Sequence, residues 1–234
     1  MLQRIVSEEF PPGTLLPSER ELQDDYQVSR AVVREAIKLL ASRKLVAISR
    51  GQGAVVASDF TEPVVDALLL AFHRSQIHAE DIFSVRKLLE PQAAALAAQN
   101  VTIQQIRTLT AITNSFEQIS FDGENTDFKV SLLRWGKLDH EFHQLLAEAS
   151  QNTVLSILIG VIVGIVWDAI SNKMPQPTPD RFVISVQQHK TIALAIAQHD
   201  PEAARQAMIE HIESSLRNVI SPEKRIEIEL ADLI

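Results

Sequence analysis

The spacing of hydrophobic and polar positions changes character along the chain. A short helix is predicted over Leu2–Ser7. PPGTLLP (11–17) is a turn-rich connector, because two prolines open it and another closes it. Ser18-Glu19-Arg20-Glu21 has the Ser-x-x-Glu form of a capping box and starts a second helix. Ser29 can cap a third helix that runs to about Arg43. LVAIS, RGQG and AVVA then read as strand, tight turn and strand. From Thr61 onward the strand signals disappear. Helical patterns cover about 64–72, 79–98, 103–119, 128–149, 153–171, 180–199 and 201–219. Thr102 and Gln105 form another capping box, and Asn152 can cap the fifth of these helices. MPQPTPD (174–180) cannot continue a helix. Asp200-Pro201 combines an N-cap with a proline at the first helical position. The expected fold class is mainly α. A winged helix-turn-helix with a small β-hairpin over residues 1–58 precedes an antiparallel bundle of about seven helices over 59–234.

Composition sharpens this division. Hydrophobic residues make up 46% of the 234 residues, so a sizeable core can form and long disorder is excluded. The net charge of −8 argues against nucleic acid until its distribution is considered. Residues 1–58 hold 8 Lys+Arg against 7 Asp+Glu, whereas the remainder holds 14 against 23. A DNA-binding surface must therefore lie in the N-terminal piece, with its basic residues gathered on one face. There are no cysteines, which excludes a disulfide framework and thiolate metal sites and fits a reducing cytoplasm. The start MLQRIVSEEF has no signal-peptide pattern. Residues 154–170 are apolar for about the minimum length of a bilayer span, with a Gly160/Gly164 small-residue pair. Ser156 and Asp168 interrupt the run, and no basic flank precedes it, so a buried bundle helix or a dimer contact is expected and no membrane partner.

On a helical wheel of the third helix, Val33, Ala36, Ile37 and Leu40 fall within about a third of the circumference and would pack inward. Ala31, Arg34 and Lys38 face the other way, and Arg30 lies in the first turn, where a recognition helix meets base edges. Arginine there can bond a guanine bidentately or clamp a phosphate. Arg20 can reach the DNA backbone, and Gly51 and Gly53 allow a close approach of the wing. LPSERELQDDYQVSRAVVREAIKLLASRKLVAISRGQGAVV resembles the N-terminal domain of the GntR family of bacterial regulators. PSERELQ, VSR, VREA and RGQG carry the resemblance. It implies that Arg20, Arg30, Arg34 and the wing Gly51-Gln52-Gly53 meet double-stranded DNA, with Lys38 on the same face. Ala31-Val32 departs from the Thr, Ser or Pro pair common after VSR, which removes a hydroxyl contact.

Asp139 and His143 are four residues apart on one helix face. His189 and His211 each lie about 11 residues from the Asp200-Pro201 break. In an antiparallel hairpin both would stand at the same height, about 16 Å from the turn. Singly, each histidine is better explained as a surface or core-satisfied residue; the shared height is what gathers them. One carboxylate and three imidazoles suit a divalent transition metal: zinc first, with nickel, manganese or iron equally compatible with the ligand types. DHEFHQLLAEASQN, QHKTIALAIAQHD and ARQAMIEHI resemble the ligand-binding FCD domain of the FadR subfamily, many members of which bind a metal through Asp, His, His and His. All four positions are present; His73, His78, His140 and His199 do not match and read as surface or capping residues. Arg86 and Glu90, four apart, read by themselves as a helix-surface pair. In VRKLLEPQAAALAAQ the resemblance places Arg86 in the cavity above the metal, taking a carboxylate of a small acidic effector. The resemblance implies a cytoplasmic homodimer that binds a palindromic operator and acts as a repressor. The alternatives are a metal-dependent enzyme acting on a small carboxylate, or a purely structural metal. Glu141 points about 160° away from the shared Asp139/His143 face, so it offers no positioned base.

Overall fold

The structure is a computed structural model that describes residues 1–49, 53–58, 62–75, 77–119, 128–170 and 179–219. It divides into two compact units, Met1–Ala67 and Leu68–Ile234. The division falls inside a helix, nine residues beyond the 58/59 boundary read from sequence.

In the first unit α1 (Leu2–Val6), α2 (Glu19–Tyr26) and α3 (Arg30–Ser42) precede β1 (Val46–Ser49) and β2 (Gly53–Val56). The capping box closes as expected. Ser18 N–H donates to Glu21 Oε2 at 2.8 Å, and Glu21 N–H donates to Ser18 Oγ at 3.3 Å. Val33 and Leu40 of α3 are buried, Ala36 and Ile37 are half-buried, and Ala31, Arg34 and Lys38 are exposed. Ile5, Phe10, Leu16, Leu40, Val46, Ala54 and Val56 form the core of the unit.

The connector at 11–17 is more than a turn. Leu16 N–H donates to Ala54 O at 2.7 Å, and Val56 N–H donates to Thr14 O at 2.8 Å, so the segment lies along the free edge of β2. Burial of Leu16 beside exposed Leu15 drives this pairing, and the prolines at 11, 12 and 17 flank rather than interrupt it. Gly53 also differs from expectation. It pairs with Ser49 as the first residue of β2, rather than lying in the turn, and has φ +103°. A Cβ there would stand 3.3 Å from Leu15 Cδ1. Gly53→Ala should cost about 1 kcal/mol through its left-handed backbone. The expected readout is hydrogen exchange at the Leu16 and Val56 amides accelerated about fivefold; unchanged exchange would show that the strand tolerates the side chain.

After α4 (Glu62–Arg74), the second unit comprises α5 (Ala79–Asn100), α6 (Ile103–Glu117), α7 (Phe128–Ala149), α8 (Thr153–Ile170), α9 (Pro179–Ala197) and α10 (Pro201–Val219). Predicted caps form: Gln105 N–H donates to Thr102 Oγ1, Leu155 N–H to Asn152 Oδ1, and Ala203 N–H to Asp200 Oδ1. The expected loop at 174–180 lies mostly outside the described residues; α9 opens at Pro179. α5 is central and packs against α7, α8, α9 and α10. Ala93, Ala94, Ala95, Ala97 and Ala98 are all buried, and their small side chains permit this close packing on several sides. Among the described residues no helix is long and apolar enough to cross a membrane. Gly160 of α8 lies beside the Gln144 side chain on α7, where a Cβ would come within 2.5 Å of Oε1 and displace that amide.

Candidate metal centre and nucleic-acid interface

α7 carries Asp139 and His143 one turn apart, and the α9–α10 hairpin brings His189 and His211 to one level, their ring centroids 4.4 Å apart. One ligand atom from each of the four residues lies within 4.8 Å of all the others. His143 Nε2 is 3.3 Å from His211 Nε2, and Asp139 Oδ1 is 3.2 Å from His189 Nε2 and 3.8 Å from His143 Nε2. Donors about 2.0–2.1 Å from a shared cation stand roughly 3.3 Å apart at tetrahedral angles, so these separations fit a metal. Burial supports the same fit. The three histidines are at most 1% exposed, and neither ring nitrogen of His189 nor Nδ1 of His143 or His211 has a hydrogen bond of good geometry, although Glu90 Oε2 stands 2.6 Å from His143 Nδ1. Unsatisfied buried imidazole nitrogens are costly unless something takes their lone pairs. Asp139 remains 26% exposed and is the ligand nearest solvent.

The electrostatics follow from this enclosure. Burial pushes His189 below its ordinary value against the pull of Asp139. Burial, then His189 and His143, push His211 further down. Burial would raise the Asp139 carboxyl, but His143, His189 and His211 hold it well below the usual carboxylate range. The neutral His189 and His211 imidazoles and the ionised Asp139 carboxylate favoured here are the forms that ligate metals. Aromatic packing fixes the rings. Phe116 of α6 stacks on His189 at 4.7 Å with planes 12° apart, and Phe142 meets it edge-on at 4.6 Å.

The surface reading of Arg86 and Glu90 is corrected. Their side chains are 3% and 2% exposed, because α5 is covered on several faces. Arg86 Nε donates to Glu90 Oε1 at 2.5 Å and Nη2 donates to Oε2 at 3.3 Å. The same Nη2 lies 3.5 Å from His143 Nε2, so Arg86 reaches the cluster. Glu90 was not recognised as part of the site. The available signal was its setting, LLEPQAAALAA, too apolar for an exposed helix face. Burial would raise its carboxyl, but Arg86 and His143 hold it well below the ordinary range.

Of the unmatched histidines, His78 N–H donates to Asp81 Oδ2 at the start of α5. His199 Nδ1 contacts Ala98 O at 2.8 Å, tying the end of α9 to α5. His140 is half-exposed, and the side chain of His73 lies outside the described residues.

In the first unit Arg20, Arg30, Arg34 and Lys38 are exposed. Arg34, Lys38 and Gly53 share the wall of a groove of about 830 Å³ with Ser18, Glu19 and Ile48. Gly51 and Gln52 lie outside the described residues. Sequence reasoning passed over Glu19 as an ordinary acid in a helical first turn. It accepts from Arg30 Nε at 2.7 Å and from Arg34 Nε at 2.8 Å, and these bonds lower its pKa. Through Glu19 the two arginines are held side by side on one face.

Residues 1–56 match the bacterial regulatory proteins of the gntR family, and residues 81–214 match the FCD domain. The chain is 28% identical over 211 residues to the Glc operon transcriptional activator of Escherichia coli K12, an alignment covering 88% of this chain and 81% of that protein. It is 28% identical over 218 residues to the HTH-type transcriptional repressor NanR of the same strain, covering 91% and 78%. A solved structure described as Streptococcus agalactiae GntR aligns with TM-score 0.66 and 31% identity over 92% of this chain and 95% of its own.

Proposed function

The chain belongs to the gntR family of bacterial regulatory proteins and carries an FCD domain, which makes it a DNA-binding transcriptional regulator, and we propose that a small carboxylate beside a divalent metal controls its operator affinity. Residues 1–58 are the DNA reader and residues 59–234 the sensor. The observation that supports this reading most is the convergence of Asp139, His143, His189 and His211 with the Arg86 guanidinium at their edge. Zinc is the proposed metal. Bound there, it would supply positive charge, and by expanding beyond its four protein ligands it would take a carboxylate oxygen. Arg86 contributes a guanidinium beside that position, and its planar fork suits a carboxylate. Phe116 and Phe142 hold His189 in place and keep that side of the centre apolar. The enzyme alternative is set aside because these relatives are regulators.

The protein acts in the cytoplasm as a homodimer, placing two α3 helices in successive major grooves of a palindromic operator. Val154, Ile157 and Leu158 form an exposed apolar stripe on α8 that suits a contact between sensor units. Effector binding changes the spacing of the two readers. Repression is the proposed sign of control. One relative is an activator and the other a repressor, so transcription of a reporter with and without the protein decides this point.

The test uses a duplex selected by the full-length protein from a random pool. Zinc-loaded protein should shift its affinity for that duplex when hydroxy acids or sugar acids are added at millimolar levels, and chelator-treated protein should not. Equal responses in both would reject metal-dependent sensing. On the same duplex, Arg34→Ala should weaken binding by about 1–3 kcal/mol if the side chain reads a base. A uniform loss across unrelated duplexes, with a smaller salt slope, would reassign it to phosphate.

A further inference from the structure

We infer that Glu90 is the positioning residue that builds the metal centre and its anion-facing arginine as one unit. The inference rests on the metal-sensor reading above and deepens it. Glu90 lies on α5, contributes no ligand to the four-residue cluster, and is 1% exposed. Its carboxylate serves two groups, with Oε2 shared between Arg86 Nη2 and His143. Oε1 accepts from Arg86 Nε, and Oε2 stands 2.6 Å from His143 Nδ1. A carboxylate oxygen this close to Nδ1 selects the tautomer of His143. An ionised carboxylate can only accept, so the ring nitrogen facing it must carry the proton. The opposite nitrogen, Nε2, faces Arg86 Nη2 at 3.5 Å, and a guanidinium can only donate. Nε2 is therefore the unprotonated nitrogen, and it is the one that points at Asp139 and His211. The lone pair needed for a metal is thus oriented by a carboxylate on another helix.

The same carboxylate fixes Arg86. With Nε and Nη2 held by Glu90, the guanidinium is fixed at the rim of the cluster. A buried arginine with no carboxylate beside it would be costly to retain. Removing Glu90 should therefore disturb metal affinity and arginine placement together, although it touches neither a metal nor an effector.

The experiment measures zinc affinity of full-length wild type, Glu90→Gln and the double variant Arg86→Gln/Glu90→Gln by competition with a chromogenic chelator. It also reads the His143 tautomer by nitrogen-15 NMR of the metal-free proteins. Loss of a carboxylate that orients a metal-ligating histidine weakens metal binding by roughly 10- to 100-fold. Both variants should show that loss. In wild type the proton should reside on Nδ1. In Glu90→Gln, whose amide can also donate, the proton should redistribute toward Nε2. The double variant removes the buried charge pair as a whole, so it keeps the test valid if the single variant folds poorly. Zinc affinity within twofold of wild type and an unchanged tautomer would overturn the inference while leaving the metal site standing. Failure of wild type itself to hold zinc would overturn the metal reading, and this inference with it.

Discussion

Replacing His189 and His211 together by alanine is expected to abolish metal retention, leaving only Asp139 and His143 of the four converging residues. Dialysed wild type should keep about one metal per chain, and the double variant essentially none. Full occupancy in the variant would refute the site. The loss should also appear in stability. A ligand at about a thousandfold above its dissociation constant stabilises the folded state by roughly 4 kcal/mol, and the variant forfeits that gain. The sign of the pH dependence follows from the depressed histidines. His211 and His189 are held below their ordinary value of 6.5 when folded, so below that pH the unfolded chain binds more protons than the native one. Stability of metal-free wild type should therefore be fully present above 6.5 and fall as pH drops from there toward the folded values. The depressed carboxyls of Asp139 and Glu90 add a further loss through the acidic carboxylate range. The double variant should lose the first part of this dependence, because the titrating imidazoles are gone. Urea midpoints from pH 8 down to about 4 measure the histidine part, and extending them to about pH 2 measures the carboxyl part; a flat profile for metal-free wild type would contradict the assigned burial.

The second large effect is expected from Arg86→Ala. Breaking a buried pair on one side typically costs about 3–5 kcal/mol, because the remaining charge is left uncompensated. Here the remaining charge is Glu90, which would keep only His143 as a partner. Lys87, one residue along α5, pairs with Glu213 in the open, and Lys87→Ala should scarcely change stability. Thermal unfolding of the two metal-free variants makes the comparison. Similar midpoints would mean that water reaches Arg86.

Much of this protein was legible in its sequence. Helix starts depend on a few local residues, so Ser18, Thr102, Asn152 and Asp200 marked theirs correctly. The inward face of α3 followed from its period alone, because one turn of helix sets which residues share a face. The convergence of Asp139, His143, His189 and His211 was legible because two lie on one helix and two flank a short turn, and a hairpin converts equal spacing into equal height.

What sequence left open depends on contacts between distant segments. The pairing of residues 14–16 along β2 required a neighbouring strand whose free edge no local pattern announces. Glu19 looked like a first-turn acid until α2 and α3 brought it between Arg30 and Arg34, which follow it by 11 and 15 residues. Arg86 and Glu90 show the difference best. Their spacing made the pair available, since residues four apart are neighbours on a helix face. Whether the pair faced water or the centre of the bundle was decided by the helices packed around α5, and by His143 arriving from α7 to share Glu90. Local chemistry determines which groups can interact; the environment that makes an ion pair dispensable or essential is supplied by the rest of the fold.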